Sequence, residues 1–135
     1  MTDMRPSTPL PAGREVTLRV IPMPADANHT GDIFGGWLMA QVDLAGAVPA
    51  MRVAKGRVAT VAVNSFVFRH PVFVGDIVSL YAQVMRVGRT SITVSVEVYA
   101  QHRSSEDGGA KVTEAVLTYV AVDDERKPRV VSTQQ

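Results

Sequence analysis

Asp32-Ile33-Phe34-Gly35-Gly36-Trp37-Leu38-Met39-Ala40-Gln41-Val42-Asp43-Leu44-Ala45-Gly46-Ala47-Val48-Pro49 is the stretch that decides the fold, because it carries the period of a helix. Phe34, Trp37, Leu38, Gln41, Ala45 and Val48 recur at helical spacing and form one broad face. Gly36, Ala40, Asp43, Gly46 and Ala47 fall on the opposite face. The helix is expected to start near Ile33, with Asp32 as an N-cap whose side chain accepts from an exposed amide. Pro49 has no amide to donate, so it should kink or end the helix, and Gly56 closes the region.

Outward from this helix the period changes to that of strands. Downstream, residues 57–69 alternate but are apolar on both sides, with Val58, Ala62, Phe66 and Phe68 against Val61, Val63 and Val67. That pattern predicts a central strand. Residues 76–87 read as another strand. Residues 90–100 alternate cleanly, with Ile92, Val94, Val96 and Val98 on one face and Ser91, Thr93, Ser95 and Glu97 on the other. Gly108-Gly109 marks a hairpin turn, and residues 111–122 return as the last strand. Upstream, residues 15–21 alternate as a half-buried strand that Pro22 and Pro24 end. The order is strand, helix, then four strands. This predicts an α+β fold in which an antiparallel sheet wraps around one long central helix. Residues 1–13, with Pro6, Pro9 and Pro11, read as a flexible tail, residues 14–130 as one domain and residues 131–135 as a C-terminal tail.

Composition removes several kinds of chemistry. The 135 residues include no cysteine, which excludes disulfides, a thiolate nucleophile and cysteine-ligated metal. Fourteen Lys and Arg against 13 Asp and Glu give a net charge of +1, without the basic excess that nucleic-acid binding uses. No apolar run approaches the roughly 20 residues of a membrane span, and the expectation is a cytoplasmic domain. His29, His70 and His102 lie on different elements with no second ligand at a metal spacing. No Gly-x-Ser-x-Gly elbow is present, and Gly31, Gly35 and Gly36 do not have dinucleotide or phosphate-loop spacing.

Asp43 remains as an anomaly in the middle of the helix. It could point to solvent, but its face is small rather than charged, and small residues let a ligand or another backbone approach. Gly35-Gly36 opens the helix, where unpartnered amides and the dipole can hold an oxyanion; two glycines can equally serve tight packing. Asn28, a neutral donor and acceptor, precedes them, and it can also make a turn with Gly31. Gly36 and Asp43 are seven residues apart, about 10.5 Å along a helix. One carbonyl cannot touch both, so joint action requires two subunits with antiparallel helices.

Asn28, Gly31, Gly35, Gly36 and Asp43, in that order and spacing, resemble the signature of the hotdog-fold acyl-CoA thioesterases, in particular the YciA-like acyl-CoA hydrolases. The similarity continues in Val61-Ala62-Val63, Phe68-Arg69-x-Pro71-Val72-x-Val74-Gly75-Asp76, Gly88-Arg89-Thr90-Ser91 and Val112-Thr113-Glu114-Ala115. The resemblance implies a hotdog fold paired as a dimer and assembled as a trimer of dimers. It implies hydrolysis of acyl-CoA with no metal or organic cofactor. It assigns Asp43 as catalytic carboxylate, acting as general base or as nucleophile, Asn28 as a positioning group and the Gly36 amide as oxyanion donor, with Gly35 beside it.

Coenzyme A carries phosphates, so cations are expected near its entrance. Arg89, with Thr90 and Ser91, is the first choice by resemblance, ahead of Arg52, Lys55, Arg57, Lys127 and Arg129. Phe34, Trp37 and Phe66 are candidates for the acyl pocket, though each also suits core packing. Two other readings compete: a hotdog hydratase or dehydratase, which would need a histidine paired with the carboxylate, and a non-catalytic acyl-CoA sensor.

Overall fold

Ile92, Val94, Val96 and Val98 are fully buried in the computed structural model, which describes residues 4–105 and 108–131. Their strand, β4 (Ser91–Gln101), has the predicted alternation and lies at the middle of the sheet. Its neighbours are β3 (Ile77–Val87) and β5 (Ala110–Ala121), outside which lie β1 (Leu18–Val20) and β2 (Val58–Phe68). The order is β1-β3-β4-β5-β2, and every pairing is antiparallel. One long helix, α1 (Gly35–Ala54), packs against this sheet and supplies the other half of the core. The expected α+β arrangement is therefore present. Among the described residues no helix is long and apolar enough to cross a membrane.

Several expectations are corrected. Asp32 does not cap α1: the N-cap position is Phe34, with no side-chain cap. Asp32 is instead tied into the preceding loop, where its amide donates to Asn28 Oδ1 at 3.1 Å and its carbonyl accepts from the Asn28 amide at 2.7 Å. Pro49 does not end the helix, which continues to Ala54. It ends at Lys55, whose φ of 56° is left-handed and turns the chain toward Gly56. Arg129 Nη2 donates to the orphaned Ala54 carbonyl at 2.8 Å, so this cation serves the helix terminus.

The buried stripe of α1 is also rotated from the predicted face. Leu38 and Ala45 belong to it, but Val42, Gly46, Ala50 and Ala54 complete it, while Gln41 and Val48 are only half-buried and Phe34 is exposed. The cause is a close contact with β5. A Cβ on Gly46 would sit 2.3 Å from the Tyr119 hydroxyl, so only glycine lets the ring pass under the helix.

The largest correction concerns β2. It is an edge strand, hydrogen-bonded to β5 alone. Val61, Val63, Val67 and Phe68 are each at least 42% exposed, so its two apolar faces are not explained by burial within the chain. An unpaired, apolar edge is a template for another strand. The first strand is shorter than predicted, because only Leu18–Val20 pairs with β3 before Pro22 intervenes. Residues 4–13 lie against the domain: Arg5 reaches Asp76, and Thr8 exchanges two backbone hydrogen bonds with Gly109 at 2.5 and 2.8 Å. At the other end the Val131 amide donates to the Arg89 carbonyl. The rest of that C-terminal tail lies outside the described residues.

Replacing Gly46 with alanine tests the helix–sheet contact. Alanine favours a helix by about 1 kcal/mol over glycine, but overpacking costs about 1–3 kcal/mol. Gly46→Ala is expected to lower stability in urea unfolding, and a gain would contradict the packing described.

Candidate active site

Asp43 projects from α1 toward β2 and β5 and is half-buried. Its Oδ1 accepts from Thr60 Oγ1 at 2.6 Å. The Tyr119 hydroxyl donates to the Asp43 carbonyl oxygen at 2.8 Å and lies 3.3 Å from Oδ1. Oδ2 has no hydrogen-bond partner among the described residues, which leaves it free to accept a proton. The carboxylate is thus held by one oxygen and offered by the other. Burial pushes the Tyr119 hydroxyl well above its usual ionisation range, and the Asp43 charge and their hydrogen bond raise it further. Tyr119 therefore stays a neutral donor beside the carboxylate.

Asn28 lies in the loop before α1. Its Oδ1 accepts from the Thr30 amide at 2.9 Å, from Thr30 Oγ1 at 2.8 Å and from the Asp32 amide. Its backbone carbonyl accepts from Gly31, whose φ of 97° suits glycine. The turn role is therefore real. It also has a chemical consequence: with the oxygen fully used, Nδ2 is left as a donor of fixed direction with no partner among the described residues.

Gly35 and Gly36 separate in role. A Cβ on Gly35 would lie 3.1 Å from Phe68, so this glycine serves tight packing. Gly36 faces open space. Both amides sit in the first turn of α1 without a partner among the described residues, at the positive end of the helix dipole. Together with Asn28, Phe34, Gly35, Leu38 and Phe68, the segment Arg69 to Val72 lines a cavity of about 400 Å³. Phe66 lies beside Phe68 with ring centroids 4.8 Å apart and planes tilted by 44°, and packs on the core.

The chain does not bring all the predicted groups together. Asp43 is absent from the wall of the Asn28–Gly35 cavity. That cavity lies where β2 finishes, at the Phe68–Thr113 pair, whereas Thr60 and Tyr119, which hold Asp43, pair near the start of β2. Arg89, Thr90 and Ser91 form the β3–β4 turn at that same starting end, where Ser91 pairs with Val120 and Val58 with Ala121. Arg89 is exposed there, with no side-chain partner among the described residues. Of the other cations, Arg57 lies 3.8 Å from exposed Asp124, and Arg52 and Lys127 are exposed. Among the described residues no cluster of three His, Asp or Glu has the form of a metal site.

Tyr119 and Thr60 were not anticipated as the partners of Asp43. The signal available was the single tyrosine in the buried alternation Thr113, Ala115, Leu117, Tyr119, Ala121, matched to a mid-helix Gly46. Pairing the two requires the sheet order, which periodicity does not contain.

Comparison with known proteins identifies the family and the fold. The profile of the thioesterase superfamily matches residues 30–106. The acyl-CoA thioester hydrolase YciA of Salmonella typhimurium is 49% identical over 122 residues, covering 89% of this chain and 92% of that protein. The hexameric thioesterase of Yersinia pestis superposes with a TM-score of 0.84 at 49% identity, covering 93% of this chain and 100% of the other. A hexameric hotdog-fold thioesterase of Campylobacter jejuni gives a TM-score of 0.81 at 45% identity, over 87% of this chain and 90% of that one.

The buried tyrosines predict an alkaline signature. Tyr99, raised to about 12 by burial and then by the Glu97 charge, behaves like Tyr119. Folded-state values above the unfolded value of about 10 mean that this stabilisation is complete below pH 10 and is lost as pH rises toward 12. Phenolate absorbance should therefore lag that of the denatured chain, and Tyr119→Phe should remove one of the lagging groups. Coincident titrations of folded and denatured chains would contradict the burial.

Proposed function

This chain belongs to the thioesterase superfamily as a hotdog-fold acyl-CoA thioester hydrolase, and from that premise we propose that Asp43 of one subunit and the Asn28–Gly36 end of another form each active site. One observation carries the proposal. A single chain holds Asp43 beside Thr60 and Tyr119 and the unpartnered helix amides beside Phe68, with an exposed apolar edge strand running between them. Antiparallel pairing of β2 with a two-fold mate, centred near Asn64, sets Thr60 of one copy opposite Phe68 of the other. The same operation lays Asp43 toward the partner's helix start. A dimer is then the smallest active unit, and three dimers give the hexamer of its relatives.

The chemistry follows from the groups present. Sulfur donates poorly into a carbonyl, so a thioester is open to attack by water under a weak base. Asp43 Oδ2 takes a proton from that water as its oxygen bonds to the carbonyl carbon. The Gly36 amide, reinforced by the α1 dipole, holds the developing oxyanion. Asn28 Nδ2 orients the thioester or the water. Collapse of the tetrahedral species expels the CoA thiolate and leaves the free acid. No metal or organic cofactor takes part in these steps.

Phe34 and Gly35, walls of the cavity, border the acyl group, with Phe66 behind Phe68, and Arg89 with Thr90 and Ser91 meets the CoA phosphates. The phosphates also keep CoA thioesters from crossing membranes, so the enzyme works in the cytoplasm.

Asp43→Asn keeps a side chain that can accept from Thr60 while removing the base. It should lower kcat by roughly 10²–10⁴-fold and leave CoA affinity nearly unchanged. Near-native thiol release from a panel of acyl-CoAs would overturn the assignment.

A further inference from the structure

Arg5 stands outside residues 30–106, yet its side chain is only 4% exposed and that of its partner Asp76 only 2%. Arg5 Nη1 donates to Asp76 Oδ2 at 2.7 Å and to the Pro71 carbonyl at 3.0 Å, and the guanidinium lies 4.9 Å from the centre of the Phe73 ring. Asp76 Oδ2 also accepts from the Phe73 amide at 2.9 Å. One cation from the N-terminal segment therefore grips residues 71–76 at three places.

That segment is connected to the candidate site. The Val72 carbonyl accepts from the Ile33 amide at 2.8 Å, and Asp32 bridges to Phe73 in antiparallel fashion. Pro71 and Val72 are also walls of the cavity shared with Asn28 and Gly35. Rigid contacts thus run from Arg5 through Asp76 and Val72 to the residues just before Gly35 and Gly36. Resting on the hydrolase reading above, we propose that Arg5 is a positioning residue: residues 4–11 form a strap whose arginine fixes the segment 71–76 and, through it, the aim of the oxyanion-holding amides. Lysine cannot replace it fully, because an ammonium lacks the planar fork that reaches Asp76 and Pro71 while facing a ring.

The test compares Arg5→Met, which keeps an apolar stem, with Arg5→Lys. Amides that act on the transition state affect kcat, so Arg5→Met should lower kcat roughly 10-fold with little change in KM, and Arg5→Lys should recover part of the loss. Hydrogen exchange on the same proteins should quicken at the Ile33 and Phe73 amides and not at those of Val94 and Val96. A folded Arg5→Met protein with unchanged kcat, or exchange that rises evenly across the sheet, overturns the proposal. If Arg5→Met does not fold, the exchange pattern of Arg5→Lys decides it. Should the native protein release no thiol from any acyl-CoA, the hydrolase reading fails, while the exchange pattern still decides the strap.

Discussion

The rise of an α-helix sets the constraint on which the rest of the structure depends. Gly36 and Asp43 are separated by about 10.5 Å along α1, whereas in the proposed reaction the carbonyl oxygen lies near 3 Å from its amide donor and the attacking water within hydrogen-bond reach of the base. No rotation of side chains closes that gap within one copy. The chain instead holds each group firmly in its own place. Thr60 and Tyr119 fix the carboxylate at one end of β2, and Phe68 packs on the helix start at the other. Gly46 is part of the same device, because it lets the tyrosine reach the Asp43 carbonyl from beneath the helix.

An exposed edge acquires meaning from that separation. Apolar edge strands are an aggregation hazard unless something covers them. In β2 the exposed valines lie between Asp43 and the start of α1, so under the proposed pairing covering the edge and completing the sites are one event.

Much of this was legible in the sequence, and the misses have physical causes. The alternation in β4 and the single helical stretch were enough for the α+β arrangement, because a buried face shows in periodicity. The apolar doubling of residues 57–69 was visible too, but one sequence cannot say whether the second face is covered by its own chain or by another, and β2 was placed centrally. Asp32 looks like a cap because its residue type suits one, but the helix begins only at Gly35 and Phe34 takes the N-cap position. Pro49 is a residue type that kinks or ends a helix; here it does not end it, and the chain turns only at Lys55. Asp43, Asn28 and Gly36 stand out in the sequence as candidates, whereas Tyr119, Thr60 and Arg5 do not. Their roles exist only through contacts 17 to 76 residues away in sequence.

Subunit mixing tests the shared site most directly. Asp43→Asn and Asn28→Ala chains are co-expressed, and thiol release of the mixed assembly is compared with that of each variant alone. If each site takes Asp43 from one chain and Asn28 from another, half of randomly formed dimers are mixed and each has one intact site. The account therefore predicts recovery of about a quarter of native activity. If both residues serve a site within one chain, every site in the mixture carries a lesion, and activity that stays at the level of the single variants would contradict the account.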